Sequence, residues 1–442
     1  MEDASRIISS ACQRDIELPP SCLEFCPAFP SYFLVGTYHL QKDEGSLGPL
    51  GSDEENYRAE GGSPRQSSFE GQKRTGSIVI YQVVDDSFIH IHTELRPSAI
   101  LDLHFQPASG QQNIFGTVSS TGTLDIFRFP DPFACSRIFE ITHLGTVRIP
   151  GLGEEVLFLS FAWHPSLSRT VAITTSRGGV HVLKLSKDYR VISEPSGPVI
   201  THSLEAWCVV MSDIKPPSEH IVGSDTKHED VKPGNSCAAQ FDVLSGGDDS
   251  TLRYLTCQLQ CEGEDDESCA QVKLPFEPVT VGRHYAGVTA ILSLPGEPAQ
   301  SSHSDLVITG SYDDHIRVFS ITPLHRTGGY KRVKMLAEAN LGGGVWRLRL
   351  VRGNTTNSDT GTGWRVLLLA SCMHAGARIV ELRGSGCESC TIQVLGRFEE
   401  HKSMNYASDV QPDNASGAQR TYVSSSFYDQ LICLWRFEAP LN

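Results

Sequence analysis

Aromatic residues and carboxylates recur in this sequence at one kind of position, immediately before or within short polar turns. The set, with its neighbouring methionine and histidine, is Glu205, Trp207, Asp248, Tyr312, Asp314, Trp346, Met373, His374, Phe427 and Tyr428. Aromatic faces interleaved with carboxylates suit a quaternary ammonium, because each ring attracts such a cation by about 0.5–2 kcal/mol. Histidine adds a proton acceptor near neutral pH. These residue types predict a site for a cationic substrate if the fold brings the turns together.

The turns lie in a repeated strand–turn–strand unit, which is clearest at residues 305–321, DLVITGSYDDHIRVFSI. The run from Leu306 to Ile308 is continuously apolar, which is typical of a strand buried on both faces. After the polar turn, Ile316 and Val318 alternate with polar residues at strand period. The stretch therefore predicts two antiparallel strands joined by a turn that contains Tyr312.

Related units occur along the whole chain, starting near residues 32, 115, 171, 241, 367 and 421. Each unit follows a short apolar run, and these runs are CLEFCP, AILDLHF, LFLSFAW, EAWCVVM, GVTAILSL, GVWRLRL and NYASDV. A single unit cannot bury its own faces and needs neighbours stacked beside it. Seven units predict an all-β, seven-bladed β-propeller, in which turns from different blades meet around one mouth of a central channel.

Three units carry a histidine before their first strand and an aspartate in the turn. The pairs are His202 with Asp249, His284 with Asp313, and His401 with Asp429. Together with a serine and an aromatic residue on the third strand, Phe319 or Trp435, they resemble the hydrogen-bonded set of a WD40 blade. His284, Ser311 and Asp313 also have the residue types of a hydrolytic triad. Their blade positions favour a structural role instead.

The chain is expected to form one domain over residues 1–442, with insertions between strands. Residues 41–76 are charged, rich in Gly and Ser and nearly free of apolar side chains, so a disordered insertion is predicted there. Residues 215–236, 353–363 and 411–420 have similar composition and are predicted to be loop insertions. The longer insertions explain why seven units occupy a chain of 442 residues.

The last unit ends after its third strand, so its sheet lacks a fourth. The stretch from Arg6 to Ile16 precedes the first full unit and is free to supply that strand. Pairing it with residues 431–437 would close the ring and leave no open sheet edge between the first and last blades. We therefore predict a ring closed by the N-terminal strand.

Charge, hydropathy and cysteine usage exclude several classes of function. The formal net charge of −15 disfavours nucleic acid as a partner. No apolar run approaches the ~18 residues that span a bilayer, and the N-terminus lacks a signal-peptide core, so a cytoplasmic protein without a membrane partner is expected. The cysteines are scattered, and the pair Cys387 and Cys390 has no second pair at metal-binding spacing. No metal or cofactor is expected.

Short motifs occur in a specific order and carry a family resemblance. They are EAW at 205–207, SGGDD at 245–249, TGSYDDHI at 309–316, GGVWRL at 343–348, ASCMHAG at 370–376 and SFYD at 426–429. In this order they resemble the WD-repeat diphthine methyl ester hydrolases, often called diphthine methyltransferases. The opening FLVGTYHL, followed by an insertion, is similar too. The resemblance spans most of the chain.

The resemblance implies an enzyme of diphthamide biosynthesis that acts, as a monomer, on translation elongation factor 2. It implies hydrolysis of the methyl ester of diphthine methyl ester on a modified histidine, which gives diphthine and methanol. The substrate carries a trimethylammonium group, for which the aromatic and acidic turns are suited. The chain has no Gly-rich strand-to-helix turn of the usual methyl-donor fold, which disfavours intrinsic methyl transfer.

For the ester hydrolysis we expect His374 to be the general base, oriented by Asp248 or Asp314. Tyr312 and Tyr428 are expected to donate hydrogen bonds to the oxyanion. The remaining members, Glu205, Trp207, Trp346, Met373 and Phe427, are expected to bind the substrate. Cys372 is an alternative nucleophile, although its place inside a strand run favours the core.

Two other functions remain open on the sequence alone. The first is a non-catalytic WD40 adaptor that joins proteins, because the fold hosts many unrelated functions. The second is a scaffold for a separate methyltransferase, which would show no turnover alone. Incubation with a methyl-esterified substrate separates both from the hydrolase.

Overall fold

In the computed structural model the structure describes residues 5–41, 73–134, 139–213, 236–262, 271–294, 305–323, 331–358, 361–386, 389–412 and 419–439. These residues form seven small sheets, each mainly antiparallel. The predicted all-β, seven-bladed propeller is confirmed. No helix in the described ranges has the length and apolar character needed to cross a membrane.

Two short strands precede the blades, and every later strand belongs to one blade. The N-terminal strands are β1 (Arg6–Ile8) and β2 (Ser10–Asp15). Blade 1 contains β3 (Pro20–Phe25), β4 (Tyr32–Thr37), β5 (His39–Leu40), β6 (Arg74–Val84) and β7 (Ser87–Arg96). Blade 2 contains β8 (Ile100–Phe105), β9 (Ile114–Ser119), β10 (Leu124–Arg128) and β11 (Thr142–Val147). Blade 3 contains β12 (Phe158–Trp163), β13 (Thr170–Thr175), β14 (Gly179–Leu185), β15 (Val191–Ser193) and β16 (Ile200–Thr201).

The other four blades follow the same plan. Blade 4 contains β17 (Ala206–Asp213), β18 (Ser236–Gly247), β19 (Thr251–Glu262), β20 (Gln271–Lys273) and β21 (Val279–Arg283). Blade 5 contains β22 (Val288–Leu294), β23 (Asp305–Ser311), β24 (His315–Pro323) and β25 (Lys331–Asn340). Blade 6 contains β26 (Arg347–Ser358), β27 (Gly361–Ser371), β28 (Ala377–Ser385) and β29 (Ser389–Phe398). Blade 7 contains β30 (Ala407–Val410), β31 (Gln419–Ser426) and β32 (Leu431–Glu438).

The first strand of each blade lies at the central channel and contacts the first strands of both neighbouring blades. The contacts run in order through β3, β8, β12, β17, β22, β26 and β30 and return to β3. Second strands such as β4, β9 and β13 are buried throughout, as their continuous apolar sequence predicts. Outer strands such as β7 consist mostly of half-buried and exposed residues. The turns between second and third strands therefore converge at one mouth of the channel.

The core lies between neighbouring blades. One apolar cluster joins Ile308 of blade 5 to Leu368 of blade 6, and another joins Phe33 of blade 1 to Val423 of blade 7. Gly310 shows how closely the blades approach, since a Cβ there would lie 2.5 Å from Cγ1 and 2.6 Å from the carbonyl oxygen of Val345. The small-residue step in this unit is therefore required by blade packing.

The ring is closed by the N-terminal segment, but in two parts. Strand β2 pairs antiparallel with β32, with Ser10 opposite Trp435 and Asp15 opposite Leu431, as predicted. The prediction is wrong for Arg6–Ile8, because β1 pairs in parallel with β29 of blade 6. Ile8 is buried there in the same cluster as Phe398, whereas Ile7 is 63% exposed. Burial of one isoleucine between blades 6 and 7 explains the switch.

The predicted insertions fall largely outside the described residues. Most of 41–76, 215–236 and 411–420 lies there. Four boundaries are corrected. Ser236 begins strand β18, and Gln419 and Arg420 begin strand β31, so these residues do not belong to loops. Arg74–Gly76 begin strand β6 instead of ending a disordered segment, because β6 pairs there with β5 and β7. Most of 353–363 is not a loop, because β26 continues to Ser358 and β27 starts at Gly361, so that both strands extend the hairpin.

The blade histidines bind hydroxyl groups of the second strands. His202 contacts Asp249 through Nδ1 and the Ser245 hydroxyl through Nε2, both at 2.9 Å. His401 contacts Ser424 at 2.8 Å, and the indole of Trp435 donates to the same hydroxyl at 3.0 Å. Blade 4 therefore has the predicted bonds among histidine, serine and aspartate. In blade 7 the histidine and the tryptophan share Ser424 as predicted, but Asp429 binds Ser403 and Ser426 instead of His401.

Blade 5 departs from the predicted set. His284 contacts the hydroxyl of Thr309 at 2.8 Å, whereas Ser311 donates to the carbonyl of Ala286 at 3.1 Å. Asp313 instead holds Arg317, with an Nη1–Oδ1 distance of 3.0 Å. Grouping His284 with Ser311 was therefore wrong, because the hydroxyl within reach belongs to the residue two positions earlier. This arrangement is not that of a hydrolytic triad.

Candidate functional site

Seven aromatic rings form a continuous series at the channel mouth, which we call the aromatic arc. In contact order they are Trp207, Tyr312, Trp346, Tyr406, Phe427 and, both against Phe427, Tyr428 and Tyr38. Neighbouring ring centroids are 5.0–6.3 Å apart. The arc crosses blades 4, 5, 6, 7 and 1, so the fold brings together five ring residues predicted from separate turns.

Backbone hydrogen bonds fix the height of each ring at the rim. The amide of Tyr312 donates to the carbonyl of Gly287 at 3.0 Å, and the amide of Trp346 donates to that of Ser371 at 2.8 Å. The amide of Phe427 likewise donates to Met404 at 3.0 Å. Each bond joins a turn to the segment that leads into a first strand. These backbone hydrogen bonds therefore fix the position of each ring at the rim.

Asp248 lies at the blade 4 end of the arc, where its carboxylate is hydrogen-bonded to a ring of the arc. Its Oδ1 accepts a hydrogen bond from the indole nitrogen of Trp207 at 3.1 Å, and its amide donates to the carbonyl of half-buried Glu205 at 2.8 Å. A Cβ on Gly287 would lie 2.5 Å from Asp248 Oδ1 and 3.0 Å from Cδ2 of Tyr312. Glycine therefore allows the carboxylate and two rings to meet.

The turn of blade 6 contributes Met373 and His374. Met373 has a φ of 43° and forms an isolated β-bridge with Asn405, just before Tyr406. Its sulfur would be 2.5 Å from a Cβ on Gly344, so the glycine run permits this approach. His374 is exposed on the same turn. Met373 is therefore paired with the residue before Tyr406 of the arc, and His374 is its exposed neighbour on the same turn.

The predicted base and its carboxylate are not joined. Within the described ranges His374 makes no hydrogen bond or ion pair, and Asp248 is held by Trp207. Asp314 has a φ of 66°, and its carbonyl accepts the amide of Leu341 at 2.8 Å. The role of His374 and its orientation by Asp248 or Asp314 stay predictions.

Cys372 is a core residue. It is fully buried, and burial raises the pKa of its thiol to about 12, so the thiolate needed for attack is not available near neutral pH. The alternative nucleophile is therefore excluded on physical grounds. No cluster of potential metal ligands occurs in the part of the chain that the structure describes, which includes Cys390 but not Cys387.

Sequence reasoning missed two rings of the arc. Tyr406 lies between Trp346 and Phe427, with centroid distances of 5.0 and 5.4 Å, and Tyr38 lies 6.3 Å from Phe427. Burial, followed by the nearby Tyr428, raises the pKa of Tyr406 to about 12, so its hydroxyl stays protonated. The signals were present in the sequence, because Tyr406 precedes the seventh first strand and Tyr38 follows the first FLVGT.

Below the arc, charged side chains of the first strands form a second connected group, which we call the channel network. Its members are Glu24, Asp102, His104, Arg347, Arg349 and Asp409. Arg347 of blade 6 donates to Asp102 of blade 2 at 2.8 Å, across the channel. His104 contacts Glu24 through Nδ1 at 2.6 Å and Asp102 through Nε2 at 3.2 Å. The network thus joins opposite sides of the ring.

Burial and neighbouring charges within the network shift the pKa values of its members. Burial disfavours the charge on His104, but Asp102 and Glu24 outweigh it and raise the pKa of His104 to about 9. Burial likewise opposes ionisation of Glu24, but Arg349 and His104 lower its pKa to about 2. Burial raises the pKa of Asp409 to about 6 despite the opposing charge of Arg349. The pairs are therefore ionised near neutral pH and largely satisfy one another.

The chain is similar over most of its length to several curated proteins of one name. It is 25% identical over 365 residues to the diphthine methyltransferase of Schizosaccharomyces pombe, covering 82% of this chain and 86% of that protein. It is 25% identical over 415 residues to the human diphthine methyltransferase, covering 89% and 73%. The Saccharomyces cerevisiae protein is 24% identical over 456 residues, covering 95% and 96%. The predicted resemblance to this family is confirmed.

Two further comparisons concern the fold. No protein-family model matches the chain. The crystal structure of Sqt1 from Chaetomium thermophilum superposes with a TM-score of 0.53 and 10% identity, covering 98% of this chain and 99% of that one. A second structure, Sqt1 bound to the N-terminus of the ribosomal protein L10, has a TM-score of 0.51 and 13% identity. At this identity the likeness shows a shared propeller fold alone.

Proposed function

We propose that this chain, whose similarity to the diphthine methyltransferases covers most of its length, is an enzyme of diphthamide biosynthesis. In detail, it hydrolyses the methyl ester of diphthine methyl ester on translation elongation factor 2 and releases diphthine and methanol. It acts in the cytoplasm, as a monomer, without a metal or cofactor. The free thiols of the described cysteines fit a reducing compartment.

The observation that carries this proposal is the aromatic arc. The substrate bears a trimethylammonium group, which cannot donate hydrogen bonds and is recognised by aromatic faces. Trp207 and Trp346 lie 5.6 Å apart at a tilt of 60°, and Tyr312 lies within 6.3 Å of both rings. Asp248 adds a carboxylate at the same end. A half-buried series of rings with one carboxylate suits a quaternary cation better than a neutral or anionic ligand.

Hydrolysis requires a water molecule, a base and donors for the developing oxyanion. Water adds to the ester carbonyl and gives its proton to the base, and the tetrahedral intermediate then collapses to a carboxylic acid and methanol. His374 is the proposed base, because it is an exposed imidazole on the turn whose Met373 pairs with Asn405, the residue before Tyr406 of the arc. Tyr312 and Tyr428 are the proposed oxyanion donors, since both are rim residues with phenol groups.

The remaining site residues bind the substrate in this proposal. Trp207, Trp346 and Phe427 contact the ammonium, and Met373 supports the rings from below. The backbone hydrogen bond from Asp248 holds Glu205 nearby, so the Glu205 carboxylate adds a second negative charge to this end of the arc. Asp248 fixes the indole of Trp207 and contributes its charge to the cation, which is a more direct role than orienting His374.

The experiment uses the full chain and elongation factor 2 that carries the methyl ester. Mass spectrometry should show a loss of one methylene mass from the factor together with release of methanol. His374→Ala should lower kcat by about 100-fold or more if the imidazole is the base. The matched control is His315→Ala, which removes a half-buried histidine at the start of β24, outside the arc, and should leave turnover unchanged. Full turnover by His374→Ala would remove the base assignment.

An adaptor without catalytic activity gives a different result. The wild-type chain would then bind the esterified factor and leave its mass unchanged over long incubation. A scaffold for a separate methyltransferase would likewise show no turnover alone. Either result contradicts the hydrolase proposal while leaving the aromatic arc as a binding site.

A further inference from the structure

The blade 1 end of the aromatic arc contains a pair of hydrogen-bond donors. Nε of Arg74 donates to the hydroxyl oxygen of Tyr38 at 2.8 Å. The Tyr38 ring lies 6.3 Å from that of Phe427 at a tilt of 50°. Both Tyr38 and Arg74 are half-buried. An arginine and a phenol thus lie directly beside the rings that would receive a quaternary cation.

The backbone around this pair is fixed from three sides. The amide of Tyr38 donates to the carbonyl of Pro19 at 2.9 Å, and Arg74 pairs with Leu40 in the short β5–β6 ladder. The buried hydroxyls of Thr37 and Ser77 contact each other at 2.8 Å across the two strands. Arg74 is therefore presented by a paired strand, and its place beside Tyr38 follows from strand register.

Glycine at position 76 is what permits this register. A Cβ there would lie 2.3 Å from the carbonyl oxygen of Thr37 and 3.2 Å from Cα of Ala99. Only a residue without a side chain lets β6 approach both segments so closely. The close approach brings the start of β6, and Arg74 with it, to the channel mouth.

The hydrogen bond between the two residues sets what they can bind. Tyr38 uses its oxygen to accept from Arg74, so its phenolic proton points to another acceptor. Within the described ranges the guanidinium of Arg74 makes no ion pair, so its terminal nitrogens keep their donor capacity. A planar guanidinium beside an O–H donor is suited to a carboxylate, or to a carbonyl oxygen that gains negative charge.

We propose that Arg74 and Tyr38 form a carboxyl-binding subsite, which contacts the ester carbonyl of the substrate and the carboxylate of the product. This inference rests on the hydrolase proposed above and names two residues for that same site. In a trimethylammonio ester the cation and the carboxyl group are attached to one carbon, so their subsites must be adjacent. Of the rings proposed to contact the ammonium, Phe427 is the one beside Tyr38, so this inference has the cation at the Phe427 end of the arc while the carboxyl group is bound.

The subsite should affect both the stability of the transition state and the rate of product release. A neutral ester carbonyl gains little from a guanidinium, whereas the tetrahedral oxyanion and the product carboxylate gain much more. Arg74 would therefore stabilise the transition state more than the bound ester. It would also retain the product, so product release would be slower with the arginine present.

Binding of small probes tests this inference without any need for turnover. The probes are 2-(trimethylammonio)butanoate and propyltrimethylammonium, which lacks the carboxyl group. Calorimetry should show that the wild-type chain prefers the first probe. Arg74→Gln and Tyr38→Phe should weaken the butanoate by roughly 10- to 100-fold and leave propyltrimethylammonium unchanged, because only contacts to a charged group are lost.

Two controls test whether the effects are specific to the subsite and whether the fold is intact. Arg177→Gln changes an arginine in the corresponding turn of blade 3, where it pairs with Glu155 at 2.8 Å, and should leave both affinities unchanged. Tyr38→Phe keeps the ring against Phe427, and a thermal midpoint equal to wild type shows that the fold is intact. Equal affinities of wild type for the two probes, or an unchanged preference in both variants, would overturn the subsite.

The outcome is distinguishable from failure of the proposed reaction. If the wild-type chain prefers the butanoate through Arg74 and Tyr38 but never cleaves the esterified factor, the subsite stands and the hydrolase fails. If the chain cleaves the ester and Arg74→Gln changes neither kcat nor product inhibition, the hydrolase stands and the subsite fails.

Discussion

The aromatic arc and the channel network meet in sequence at blade 6, yet they use their interactions in opposite ways. Trp346 belongs to the arc and the next residue, Arg347, belongs to the network. In the network almost every charge meets its partner, within a few ångströms and out of water. In the arc the rings contact one another but stay partly open to solvent, because six of the seven are half-buried and Tyr428 is 69% exposed.

The difference shows which of the two groups of residues can bind a ligand. A buried charge without a partner costs several kcal/mol, so the network must be satisfied from within. Exposed aromatic faces cost little, and they keep their attraction for a cation. Substitutions in the network should therefore act on stability, and substitutions in the arc should act on ligand binding.

The largest effect is expected from Asp102→Ala, which tests the structural half of the contrast. The change removes the carboxylate shared by Arg347, His104 and Ser160, whose hydroxyl donates at 2.7 Å. Arg347 would be left unpaired and His104 would keep only Glu24, so the free energy of unfolding should fall by about 3–5 kcal/mol. Urea denaturation measures this loss. Arg347→Met should cost less, because His104 and Ser160 still hold Asp102. A loss below about 1 kcal/mol for Asp102→Ala would contradict this account.

The next effect is a pH dependence that separates the network histidine from a blade histidine. The pKa of His104 is raised to about 9, so its stabilising contribution is complete below pH 6.5 and is lost as the pH rises through 9. The contribution is roughly 3 kcal/mol. Burial lowers the pKa of His401 to about 4, so its contribution is present above pH 6.5 and is lost as the pH falls through 4.

Denaturation of wild type and His104→Asn at pH 6.5 and pH 9 measures the first contribution. Wild type should lose stability over this range and the variant should lose much less. His401→Asn is the matched control, because it should change the slope only on the acid side. Identical alkaline slopes for wild type and His104→Asn would show that the imidazole is not charged in the folded chain.

The smallest effect is expected in the arc and concerns binding. Trp346→Leu keeps an apolar side chain between Trp207 and Tyr406 but removes the π face. The affinity for propyltrimethylammonium should fall by roughly 2- to 30-fold, and the free energy of unfolding should change far less than for Asp102→Ala. Arg177→Ala, in an exposed ion pair of the blade 3 turn, should alter neither quantity. Unchanged affinity in Trp346→Leu would move the cation away from this ring.

Much of the fold could be predicted because strand periodicity repeats in every blade. Four of the seven apolar runs that marked the first strands contain the network, since Glu24, Asp102, Arg347 and Asp409 interrupt them with charged residues. That alternation was a usable signal for a charged channel. The partners could not be predicted, because the pair of Asp102 and Arg347 spans the ring and depends on its diameter.

The site was predicted in part for a related reason. Aromatic residues in the turns identified the arc, since the turns of all blades share one face. Tyr38 was harder to assign a role, because its partner Arg74 lies beyond a long insertion and reaches it only through the pairing of β5 with β6. The parallel pairing of β1 with blade 6 was missed because Arg6–Ile8 carry no pattern of their own.

The pairing of β1 with β29 and of β2 with β32 also determines when the ring can close during synthesis of the protein. Strands β1 and β2 leave the ribosome before any of the seven blades, but their partners β29 and β32 belong to the sixth and seventh blades and are synthesised much later. Until then the N-terminal strands expose unpaired backbone groups, and their pairing must close a loop of nearly the whole chain. Completion of the ring is therefore a late step in biogenesis, during which the nascent chain depends on protection from other strand edges.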